Sequence, residues 1–211
     1  MKAIFALILM LIVSTLSAQD KYTETMSGKI DATYKAKTVA EYQDAANAFE
    51  RIAGAEKTKW EPYYYAAFNY IMMANTEQEN AKKDSYLDLA AKALDQAKTI
   101  KPNDSEITAL EGFIHMIRVT VDPATRGQEY SGKAFRSFST AVALNPENPR
   151  ALALLAQMQY GTAQFFGSST AEACGTVEKS IQKFESYKAD SALAPQWGKS
   201  MAEGLKVNCK L

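Results

Sequence analysis

The sequence predicts an all-α protein built by stacking two-helix units, and three observations carry that prediction. Ala134, Phe138, Ala141 and Pro146 recur 44 residues upstream as Ala90, Leu94, Ala97 and Pro102, so small, large, small and helix-stopping residues repeat in register. Phe49 lies 45 residues before Leu94 and Phe184 lies 46 after Phe138, which extends the period in both directions. A second series, Ala67, Gly112 and Ala156, is spaced by 45 and 44, as expected if the first helix of each unit needs a small side chain where its partner comes close.

Each element follows from local pattern. From Tyr22 through Met26, Ile30 and Tyr34 the apolar residues fall at helical spacing, and they do so again through Val39, Tyr42, Ala46, Phe49 and Ile52. Thr38 and Glu41 have capping-box spacing, so a second helix starts there, and Gly54 closes a first hairpin. Residues 60–74 are almost wholly apolar or aromatic, which marks a helix packed on more than one side, and Pro62 suits its first turn. The polar run 75–84 leads to a helix over about 85–100, which Pro102 stops. The next hairpin pairs 105–119 with 133–144 across residues 120–132, read as a loop, with Pro146 as the stop. A third starts at Pro149, runs to about Gly161, turns through 161–169, and continues from Ser169 and Glu172, at capping-box spacing, to about Lys188. After Pro195 a short closing helix offers Trp197, Met201 and Leu205 to the last apolar face.

With these residues in hand, the chain resembles a tetratricopeptide repeat protein. The second-helix signature of that family is matched by Ala134, Phe138, Ala141 and Pro146 and by Ala90, Leu94, Ala97 and Pro102, while Gly112 with His115 and Ala67 with Tyr70 resemble its first-helix pair. The resemblance spans about Ala40 to Phe184. It departs in repeat length, 44 to 46 residues against about 34, and in Tyr63, Thr108 and Leu152 where the family has Trp. In the last copy Ser180 and Tyr187 replace the two small residues. The resemblance implies a right-handed α-α superhelix of three to four helical hairpins plus a C-terminal capping helix. It also implies that the concave wall is lined by Tyr64, Phe68, Ile71 and Met72, then Phe113, Met116 and Ile117, then Arg150, Gln157 and Tyr160. Most of these are apolar, which suits an apolar or aromatic ligand or a helical segment of a partner. The plainer alternative is that the N-terminal hairpin or tight coiling covers the wall and makes it core.

A second candidate surface is the edge where the enlarged connections emerge, carrying Arg126, Glu129 and Tyr130 and then Phe165 and Phe166 beside Gly167. The plainer alternative there is that the extra residues lengthen the helices, and for 75–84 we adopt it.

The ends of the chain set the compartment. Residues 1–18 begin with Lys2, carry an apolar run from Ala3 to Val13 and end in small residues, the plan of a cleavable secretory signal too short to span a bilayer. Cleavage after Ala18 removes one base and no acid, leaving 23 Lys+Arg against 24 Asp+Glu in a single domain over 19–211. Near-neutral charge argues against nucleic acid or anionic lipid as the main partner. Export places the protein in the periplasm or outside the cell, where a disulfide is stable, and an antiparallel return of the closing helix would bring Cys209 towards Cys174, so a Cys174–Cys209 bridge is expected, with free buried thiols as the alternative.

Chemistry is thinly provisioned. His115 is the single histidine and stands where the repeat packs an aromatic; no glycine-rich phosphate loop, metal site or cofactor is called for, and no catalytic residue is assigned. Glu61, Glu106 and Glu111 lie near helix starts, where the helix dipole favours them. The expectation is a non-catalytic exported scaffold that binds a protein or peptide in the cell envelope. The alternative is a soluble carrier of a small apolar or lipid-like molecule in its concave groove, with an enzyme disfavoured.

Overall fold

The computed structural model describes residues 20–210, so the expected signal at 1–18 lies outside the described residues. Those residues form nine helices and no strand. They are α1 (20–35), α2 (Val39–Ala55), α3 (Glu61–Thr76), α4 (Asn80–Ile100), α5 (Ser105–Val121), α6 (Pro123–Leu144), α7 (Pro149–Phe166), α8 (Ala171–Ser186) and α9 (Lys199–Cys209). Among the described residues from α2 onward, consecutive helices pack on one another, and contacts that skip one element join the odd-numbered helices, α3 to α5 to α7 to α9. Helix α1 joins the same row: Asn69 Nδ2 donates to Thr33 Oγ1 at 3.0 Å, and the Tyr34 ring meets Phe68 edge-on at 6.4 Å. The chain is therefore an all-α superhelix with an inner layer of first helices and an outer layer of second helices.

The repeat residues do what their spacing implies. A Cβ on Gly112 would stand 2.4 Å from Phe138 Cε1, so only glycine lets α5 and α6 close to this distance around the ring. Ala97 and Ala141 are both fully buried, and each carbonyl accepts the C-cap amide four residues on, from Lys101 and Asn145. The two alanines thus hold matching places in successive layers. Thr38 and Glu41 form the capping box, each satisfying the other's backbone amide. Cys174 and Cys209 are bonded, which ties the end of α9 to the first turn of α8.

Four expectations change. Residues 120–132 are not a loop: Asp122 accepts from the Thr125 amide as N-cap, Pro123 occupies N1, and α6 is helical from there. Likewise α7 continues to Phe166, so the extra length of each repeat goes into helix in every unit. The Ser169–Glu172 capping box does not form, because Thr170 is the N-cap and Glu172 instead accepts from Gln159 Nε2 at 2.7 Å. Trp197 is buried, yet it belongs to the strap 187–198 that precedes α9, and its ring lies against Phe68 of α3 and Phe113 of α5.

Candidate functional site

The inner wall is where the sequence-based candidates converge. Tyr64, Phe68, Ile71, Phe113, Ile117 and Arg150 are buried, and Met72, Met116, Gln157 and Tyr160 are half-buried. Tyr64, Phe68 and Phe113 are covered in part from the far end of the chain. The strap between α8 and α9 lies across the wall, where the Trp197 ring lies tilted over Phe68 at 5.1 Å between ring centres and stacks on Phe113 at 6.1 Å. Its indole N–H donates to the Tyr64 hydroxyl at 3.0 Å. Beside it the Tyr65 hydroxyl donates to the Leu193 carbonyl at 2.8 Å, and the Gln196 amide donates to the Tyr34 hydroxyl at 3.0 Å. Apolar ring area drives this contact, and each polar tip finds a partner, as buried Tyr and Trp require.

Beneath the strap runs a charged pair. Arg150 in the first turn of α7 is 1% exposed and donates through Nε (2.9 Å) and Nη2 (2.7 Å) to Glu106 in the first turn of α5. Burial alone would lower the guanidinium pKa, but Glu106 outweighs it and the group stays protonated. The Tyr64 hydroxyl lies 3.4 Å from Glu106 Oε2, and burial raises its pKa well above the usual phenol value, so it remains neutral. A bidentate guanidinium–carboxylate pair in this setting fixes the register of α5 on α7. Glu106 thus has a cross-helix role beyond complementing the helix dipole. The matching link on the other side is Asn148, the α7 N-cap, whose Nδ2 donates to Ser105 Oγ at 2.9 Å while Ser105 donates to the Ala141 carbonyl.

Two clefts open to solvent. One of about 270 Å³ lies next to the strap and is lined by Arg150, Phe184, Tyr187, Ala189, Gln196 and Lys199. The other, about 490 Å³, runs between α1 and α2 over Tyr22, Ala48, Ile52 and Ala55, with Lys21, Lys29 and Arg51 on its rims. Neither was singled out from the sequence, apart from Arg150 itself.

The edge candidates separate into two environments. Arg126 is held by Asp84 at 2.7 Å, and Tyr130 lies under Lys133 (4.8 Å) and faces His115 (6.0 Å), so this group is a set of mutual contacts among α4, α5 and α6. Burial holds the His115 pKa below its ordinary value, which keeps the ring neutral at pH 7. Phe165 and Phe166 are 80% and 73% exposed at the end of α7, where Gly167 terminates the helix at φ +62°.

No protein-family model matches the chain, and no curated protein does either. Among solved structures, the HusA haemophore from Porphyromonas gingivalis superposes with a TM-score of 0.81 at 32% sequence identity, covering 90% of this chain and 92% of that one. Identity at that level along nine tenths of both sequences places this chain in the family of the HusA haemophore.

Proposed function

We propose that the protein is an exported, non-catalytic carrier of a planar aromatic ligand, a haem or a related porphyrin, received on the inner wall of a tetratricopeptide-like superhelix. The observation that carries this reading is the aromatic slot of Phe68 and Phe113, which already holds a flat ring, that of Trp197. A wall of this kind suits a ligand whose binding energy comes from apolar ring area. The relative described above is named as a haemophore, and the similarity covers 90% of this chain. The signal-like residues 1–18 and the Cys174–Cys209 bond agree with a periplasmic or extracellular setting.

Titration of the mature protein with haemin, followed by the Soret band, tests this reading. One-to-one binding at micromolar haemin or below supports it, and a Soret band identical with and without protein overturns it. A second reading, docking of a protein partner, is favoured by the exposed Phe165 and Phe166. Phe165→Ser with Phe166→Ser should leave haemin binding unchanged and abolish partner capture if that surface serves a partner.

A further inference from the structure

We propose that the cleft floored by Arg150 receives a carboxylate carried on a flat apolar body. On the carrier reading, upon which this rests, it takes the acidic edge of the ring that replaces Trp197.

Glu106 occupies Nε and Nη2 of Arg150, whereas Nη1 is shielded from solvent and has no hydrogen-bond partner. A buried guanidinium with an unused donor is costly unless something fills it part of the time. The Tyr187 ring lies over the guanidinium at 4.5 Å, and Tyr187 is the C-cap of α8, with extended backbone at the start of the strap. On this proposal the Tyr187 ring turns aside to let a ligand reach Nη1 from the cleft that both residues line.

The rest of the cleft agrees in chemistry. Phe184 and Tyr187 form apolar walls, Gln196 supplies an amide, and Lys199 supplies a cation whose other neighbour, Glu203, stands at 3.9 Å. Helix α9, eleven residues long, begins here with Gly198 as N-cap and no side chain capping its first amides, so its positive end faces the same space. Gly198 sits directly on the site: a Cβ there would stand 3.0 Å from Arg150 Cγ and 3.2 Å from Phe184 Cζ. Glu106 already balances Arg150, so the charge left to attract a ligand is that of Lys199 and the helix end. This matches one singly charged, planar anion, and the aromatic walls disfavour a fully hydrated one. Gln196 and Gly198 flank Trp197 in sequence, which places the cleft and the aromatic slot under the same strap.

The test uses the full mature chain with its disulfide intact and two pairs of probes. Benzoate, with benzamide as its neutral twin, is titrated by NMR. The proposal predicts saturating shifts at the Gln196 side chain and the Gly198 amide for benzoate only, and roughly tenfold weaker binding in Lys199→Glu, an exposed position that leaves the fold intact. No saturating benzoate shift, or equal shifts from benzamide, overturns the site whatever haemin does. Haemin is then compared with its dimethyl ester by Soret titration. Haemin should bind roughly tenfold tighter than the ester in the wild type, and the difference should vanish in Lys199→Glu. Equal binding of both leaves the carrier reading standing and overturns the carboxylate site as part of it. Binding of neither overturns the carrier reading, and benzoate alone then decides the site.

Discussion

The indole of Trp197 hydrogen-bonds the hydroxyl of Tyr64 across 133 positions of sequence. That bond joins the strap before the last helix to the first helix of the second unit, and the same Tyr64 hydroxyl lies against Glu106, which holds Arg150. The strap is therefore tied into the buried polar pair that sets the stacking of α5 on α7. Any ligand that takes the place of Trp197 meets the same polar groups.

Removing the plug should trade stability for affinity. Trp197→Ala deletes a large buried ring and is expected to cost about 3–5 kcal/mol in urea unfolding. In the folded fraction the slot is then vacant, and metal-free protoporphyrin should bind roughly tenfold tighter, because the competing indole is gone. Weaker binding would mean that Trp197 is itself a ligand contact.

The Glu106–Arg150 pair should behave asymmetrically. Glu106→Gln leaves a buried guanidinium short of its counter-charge and should cost about 3–5 kcal/mol, whereas Glu106→Leu combined with Arg150→Leu should recover most of that loss. Denaturant midpoints of the single and double variants check this. Simple additivity of the Glu106→Leu and Arg150→Leu losses in the double variant would contradict the assignment.

Gly198 is held at φ +100°, in the left-handed region, with Arg150 and Phe184 in van der Waals reach of where a side chain would begin. Gly198→Ala should cost about 1–2 kcal/mol from backbone strain alone and should disturb the strap first. The readout is hydrogen exchange at the amides of 193–198, which should speed up more than those of α3 and α5.

Acidification gives a separate handle on His115. Burial lowers its folded pKa below the ordinary 6.5, so the unfolded chain takes up a proton more readily. Stability should be complete above about pH 6.5 and decline as the pH falls from there towards the lower folded value. His115→Gln should flatten the pH dependence between 7 and 5.5, measured by urea midpoints. An unchanged slope would show that other groups govern this window.

Much of this fold was legible before any coordinates. The 44-residue spacing of Ala97 and Ala141 corresponds to equivalent buried positions one turn before successive C-caps, and Gly112 faces Phe138 because a small residue and a ring were spaced for it. The extension of α6 was also legible, in the Asp122–Pro123 cap signal, although Gly127 and Gly132 in a polar stretch made the segment look like a loop. The strap was not legible. Leu193, Gln196 and Trp197 carry no periodic pattern, and their partners Tyr65, Tyr34 and Tyr64 lie more than 120 positions away. Local pattern marked the wall as aromatic, but only the tertiary path of the chain determines what lies against it. For the same reason the unused Nη1 of Arg150 follows from Glu106 and Tyr187 closing around it, which no spacing rule encodes.

The most direct test of the central claim follows the Trp197 indole N–H by NMR in a Trp60→Phe variant, where it is the single indole signal. In the free protein this proton is bonded to Tyr64 and buried, so its exchange with water should be slow. Addition of one equivalent of metal-free protoporphyrin should shift the signal and speed its exchange in step with the change in porphyrin absorbance. Porphyrin binding with the indole signal unmoved and still protected would contradict the account, because the ring would then be bound somewhere other than the wall that Trp197 covers.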